Sequence, residues 1–130
     1  MQTVGAVVLA ILAFAVDATA QGLTGKDLQQ YCGSAVLDYA GGICRGYVEG
    51  IIGSARSVDK SGKFKTNADG TWEEHLLGYR WCLSPETATV DELAAVFKKW
   101  MAAHPDESQE HAVRLVAEAL AEASPCKPAK

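Results

Sequence analysis

The chain lacks any long hydrophobic run: no apolar stretch reaches the roughly 18 to 20 residues that a membrane-spanning helix requires. It also lacks an excess of one charge. Twelve basic against sixteen acidic residues leave a formal charge of −4 on 130 residues, which offers no electrostatic case for nucleic acid. Charged side chains make up only 22% and hydrophobic ones 48%, so intrinsic disorder is excluded as well. Catalytic signatures are missing: there is no H-E-x-x-H, no G-x-S-x-G and no phosphate loop. None of the four cysteines sits in a C-x-x-C pair. Their gaps of 11, 37 and 43 residues do not match structural zinc sites.

What is present begins with a leader. Val4 to Val16 is apolar or small throughout and is followed by Ala18-Thr19-Ala20. That pattern reads as a secretory signal peptide over residues 1–20, although Met1-Gln2-Thr3 carries no Lys or Arg. The mature domain then spans 21–130. Export makes Cys32, Cys44, Cys82 and Cys126 candidates for two disulfides. Three connectivities are open.

The mature chain reads as all-α, a bundle of about four to five short helices held by two disulfides. Thr24 with Asp27 caps a first helix, and Gly33 is placed to end it in the left-handed conformation. A second helix is expected from Gly42 to Arg56, burying Ile43, Tyr47 and Ile51. It carries glycines at four-residue spacing, Gly42, Gly46 and Gly50, with Gly53 nearby. The favoured reading of that row is a packing seam for another helix of this chain, with a dimer seam as the alternative. Thr71 and Glu74 form a capping-box pair, so a short helix is expected from Thr71 to near Gly78. Thr89 and Glu92 cap a stripe of Val90, Leu93, Phe97, Trp100 and Met101. His104-Pro105 breaks it, Asp106 with Gln109 is expected to cap the last helix, and Ser124-Pro125 ends that helix. A short break makes the last two helices antiparallel and returns Cys126 towards Cys82. This favours Cys82–Cys126 with Cys32–Cys44, the other connectivities remaining open.

Between Val58 and Gly70 lies the one long irregular stretch. It fails as a calcium loop: with Asp59 first, the sixth position is Phe64 rather than glycine. His104, Glu107 and His111 could share a face, but Pro105 interrupts the backbone between the first two. His104 reads as a helix-end residue favoured by the dipole. With its cysteines oxidised, the chain has no thiol nucleophile. Neither a metal, a cofactor nor catalytic residues are expected, and the chain reads as a protein that works by surface contact.

Several separated pieces then line up. Cys44-Arg45-Gly46-Tyr47-Val48-Glu49-Gly50 resembles the C-x-G-Y-x-x-G signature of the Rap/Tai immunity proteins of type VI secretion. The resemblance continues through Cys82-Leu83 with Pro85, Trp100 to His104-Pro105, Ala119-Leu120 and Pro125-Cys126, with Cys32 leading. Two departures are Gly53, where the family often has an acidic residue, and Ser84 inserted before Pro85. The resemblance implies a periplasmic, disulfide-bonded helical protein, often a homodimer, that binds and occludes a secreted peptidoglycan amidase.

A blocker needs an exposed segment on a rigid base. The stretch from Asp59 to Trp72 is the candidate, with Phe64 and Trp72 as aromatic anchors and Lys63, Asn67 and Asp69 as polar partners. For Trp72 alone, a place in the core is the favoured reading. The rival function is a small periplasmic chaperone or stress protein without a single enzyme target.

Overall fold

The computed structural model describes residues 22–34, 38–56, 62–63 and 65–128. The expected leader, and with it Asp59 and Phe64 of the candidate segment, lie outside the described residues. The order of elements is α1 (Gly25–Cys32), α2 (Tyr39–Ala55), β1 (Trp72–Leu76), β2 (Tyr79–Leu83), α3 (Val90–Ala103), a 3-10 turn (Pro105–Glu107) and α4 (Ala112–Ala123).

Local chemistry starts each helix. Thr24 and Asp27 form the reciprocal capping box: Thr24 Oγ1 accepts from the Asp27 amide at 3.2 Å, and Asp27 Oδ2 from the Thr24 amide at 3.0 Å. Asp38 caps α2 by accepting from the Gly41 amide at 2.7 Å, so that helix begins at Tyr39, a turn earlier than its apolar pattern indicates. Thr89 caps α3 as expected. Two terminal details differ from expectation. Gly33 ends α1 with right-handed backbone, its N–H satisfied by carbonyls of the last turn. Asp106 lies in the 3-10 turn and Gln109 just beyond it, so they do not cap α4, which starts after His111.

The largest correction is the hairpin. Trp72–Leu76 and Tyr79–Leu83 are strands paired antiparallel, with Glu73 opposite Cys82 and His75 opposite Arg80, so the all-α assignment and the short helix after Thr71 are overturned. The fold is mixed α and β. The physical reason is a period of two: Trp72, Glu74 and Leu76 face inward with Tyr79, Trp81 and Leu83, while Glu73, His75, Arg80 and Cys82 face outward. Aromatic and apolar residues on a pleated, half-buried face favour strand. Leu77 (φ 53°) and Gly78 (φ 84°) make the turn, and positive φ at both central residues is the I′ pattern that matches strand twist. For leucine that conformation costs on the order of 1 kcal/mol.

The core lies where these elements converge. Leu28 of α1, Val48 and Ile52 of α2, Trp81 and Leu83 of β2, Leu93, Phe97 and Met101 of α3, and Leu115, Val116 and Leu120 of α4 are all buried. Ile43 and Tyr47, expected inside, are half-buried. α1 docks on the far end of the chain. Gly25 N–H donates to Glu110 O (2.9 Å) and Ala112 N–H to Leu23 O (2.8 Å). Gly25 itself is held by close approach, since a β-carbon there would sit 2.4 Å from Leu115 Cδ1. The disulfides are Cys32–Cys44, joining α1 to α2, and Cys82–Cys126, joining β2 to the tail after α4. This is the pairing that the antiparallel argument favoured. No described helix is long and apolar enough to cross a membrane.

Candidate partner-binding site

The hairpin rests on a buried carboxylate. Glu74 is fully buried, and Oε1 accepts from Trp72 Nε1 (3.0 Å) and Arg56 Nε (3.2 Å) while Oε2 accepts from Trp81 Nε1 (2.8 Å). Arg56, at the end of α2, also lies over the Trp72 ring, 5.4 Å from its centroid. One charge-assisted cluster therefore joins α2 to both strands, and no buried side-chain N or O among the described residues lacks a partner. On the other side, Tyr79 Oη donates to Glu118 of α4 at 3.1 Å.

Upon that base stands a hydrogen-bonded turn. Asn67 N–H donates to Thr71 O (2.6 Å) and Gly70 N–H to Asn67 O (3.0 Å), with Gly70 at φ 82°. Asp69 Oδ1 accepts from both the amide (3.0 Å) and the hydroxyl (2.6 Å) of Thr71. The hydroxyl bond from Thr71 is the main cause that holds the Asp69 carboxyl below the usual aspartate range, so it stays ionised and acceptor-only at neutral pH. Asn67 Nδ2 also points at Cys82 Sγ (3.6 Å), and Lys127 Nζ lies 3.5 Å from Asp69 Oδ2. The turn is thus tied to the hairpin and to the tail.

Between them runs an open groove of about 860 Å³, walled by Asn67, Asp69, Glu73, Arg80, Lys127 and the Cys82–Cys126 bridge. Its floor is the outward face of the hairpin. There Glu73 Oε1 meets His75 Nε2 (2.6 Å) and Arg80 Nη1 (3.6 Å). Among the described residues, one grouping brings three potential metal-ligating atoms together, Glu73 with Cys82 and Cys126. Both sulfurs are joined in the disulfide and offer no thiolate.

Of the residues singled out in the sequence, Lys63, Asn67 and Asp69 are exposed. Trp72 is half-buried against the core and bound to Glu74, as its core reading anticipates, so what it can present outward is limited to part of one ring. The histidines do not assemble. His104 stacks on Trp100 (centroids 3.9 Å apart) with Nδ1 on Trp100 O (2.8 Å), and Glu107 is taken by Arg114 (2.7 Å). Sequence reasoning places Glu74 and His75 on a short helix and gives Arg80 no part, whereas all three are carried by the hairpin. The one signal, an alternation from Trp72 to Leu83, is blurred by charged Glu74 at an inward position.

Among the described residues the glycine row meets no seam. Gly42, Gly46, Gly50 and Gly53 are exposed, and a β-carbon built on any of them meets nothing within 4 Å. None of the described helices packs along the row as the intrachain reading expects. Tyr39, at the start of the same helix, is 86% exposed.

Compared with known proteins, no curated protein and no solved structure matches this chain. A family model does match, over residues 24–126: that of the Rap1a immunity proteins.

Proposed function

The chain belongs to the Rap1a immunity protein family, and from that premise we propose that it is a non-enzymatic periplasmic inhibitor of a peptidoglycan amidase delivered by type VI secretion. The observation that carries this reading is the turn at Asn67–Thr71. Asn67 to Gly70 are exposed, yet Asn67, Asp69, Gly70 and Thr71 are hydrogen-bonded to one another, and the turn stands on a base cross-linked by Cys82–Cys126 and anchored by buried Glu74. A segment ordered before contact loses little freedom on binding, which is what a tight blocker requires. Lys63, Asn67 and Asp69 are the proposed contacts, with part of Trp72 beside them. Asp59 and Phe64 complete the candidate segment.

The test is inhibition of a panel of peptidoglycan amidases, including any encoded beside this chain, by the oxidised protein from Gln21 to Lys130. The expected result is nanomolar binding that abolishes hydrolysis, weakened about a hundredfold or more when Lys63, Asn67 and Asp69 are all replaced by alanine. Inhibition that survives the triple replacement moves the contact surface elsewhere. If no amidase is bound, the reading fails and the chaperone alternative is the one to measure, by apolar dye binding on acidification.

The same premise extends to a homodimer through α2. Each exposed interior glycine costs roughly 0.5 to 1 kcal/mol relative to alanine, and nothing among the described residues requires the missing side chain. A second backbone approaching along Gly42, Gly46 and Gly50 would account for it. Gly46→Ala with Gly50→Ala is expected to stabilise the dissociated chain by about 1 to 2 kcal/mol in thermal unfolding at low concentration. In sedimentation the same pair should shift dimer towards monomer. A double variant that is more stable and equally dimeric rules out the seam.

A further inference from the structure

We propose that the hairpin tip is a second docking element, with Leu77 as an apolar anchor received by a pocket on the partner enzyme whose rim is acidic. This rests on the inhibitor reading above and adds a contact that it does not contain.

Three observations converge on Leu77. First, it is 59% exposed, one of two large apolar residues so placed among the described residues, and it contributes nothing to the core. Second, it is the one described residue other than glycine with positive φ. A I′ turn is made without strain by Asn-Gly or Asp-Gly, so the fold alone has no use for leucine there. A strained backbone carrying an exposed apolar side chain at the apex of a hairpin is the kind of outlier that points to a contact made outside the chain. Third, the strands just beneath the tip are fastened to the body of the protein. Directly below it, Leu76 pairs with Tyr79, whose hydroxyl is bound to Glu118, and one step further Glu74 holds Trp81.

The chemistry of the partner follows from the neighbours. His75 and Arg80 face each other across the strands on the outward side, next to the tip, and each side chain is 54% exposed. Glu73, which both of them meet, sits further from the tip and is shared between them. A leucine flanked by a guanidinium and an imidazole fits an apolar pocket edged by carboxylates. The Asn67–Thr71 turn is at the opposite end of β1, about 17 Å away at strand rise. Turn, outward face and tip therefore form one exposed strip, whose length suits an interface of ordinary size.

The experiment uses the amidase that the wild-type protein inhibits in the panel above, titrated with wild type, Leu77→Asn and Leu77→Ala. Both variants should bind about tenfold or more weakly, the loss expected for withdrawing one buried leucine. Leu77→Asn should meanwhile unfold roughly 4 to 8 °C higher, because asparagine accepts the left-handed backbone. Leu77→Ala keeps that backbone burden and should unfold within a few degrees of wild type. Affinity lost while stability rises is a result that a purely structural leucine cannot produce. Unchanged affinity in both variants overturns the proposal and leaves the inhibitor reading standing. A lower unfolding temperature for Leu77→Asn overturns it too, by showing that leucine serves the fold. A wild-type protein that binds no amidase sinks the inhibitor reading and the docking role together.

Discussion

Replacing Glu74 with alanine is expected to cost about 3 to 5 kcal/mol, the loss seen when one partner of a buried ion pair is removed. For a domain of about 100 residues this lowers the unfolding temperature by roughly 12 °C or more. The magnitude follows from what is left behind. Arg56 loses its buried carboxylate, and the indole N–H groups of Trp72 and Trp81 lose their acceptor in a place where water does not reach Glu74. Glu74→Gln is the informative companion. The amide keeps the volume but offers one oxygen where three donors converge, and turns an N–H group towards at least one of them. An intermediate loss is expected, about 2 kcal/mol. Chemical denaturation of both variants with disulfides intact measures this directly. A loss under 1 kcal/mol for alanine would mean that the cluster is solvated and does not hold the hairpin.

The second large effect is expected from the disulfides, and they should differ. Cys82–Cys126 closes a sequence separation of 44 and Cys32–Cys44 one of 12. Loop-closure entropy alone gives about 4 kcal/mol for the first and about 3 kcal/mol for the second. Serine pairs at 82/126 and at 32/44, compared by denaturant unfolding, should therefore rank in that order. The 82/126 variant should also weaken amidase inhibition on the proposed reading, since this bridge underlies the Asn67–Thr71 turn and pins the tail that carries Lys127. If the 32/44 pair proves the more costly, residual structure in the unfolded chain outweighs loop length.

How much of this was legible beforehand divides along physical lines. The helices α1, α3 and α4 were visible because their apolar residues recur at helical spacing and, in α1 and α3, capping boxes mark the start. The disulfide pairing was within reach because antiparallel helices return Cys126 to Cys82. The hairpin was hidden by two features. Thr71-x-x-Glu74 imitates a capping box, and Glu74 is a charged residue at an inward position, which blurs the alternation that marks a half-buried strand. That carboxylate faces inward only because two tryptophans and Arg56 from a separate helix meet it, a convergence that no local window contains. The glycine row misled for a related reason. Spacing says that glycines share a face, but whether that face meets the same chain or another depends on the whole arrangement. For the candidate site, the exposure of Lys63, Asn67 and Asp69 was readable from polar composition. The outward strip of Glu73, His75 and Arg80 was not, because it exists only once the strands pair.

The docking of α1 on the opposite end of the chain sets an order of events. Gly25 packs under Leu115 and Met101, and the backbone of Leu23 to Lys26 bonds to residues 108–112. The first helix therefore has no complete seat until the last one arrives. A chain emerging from a ribosome amino terminus first cannot complete this core until its final helix is free to receive the first.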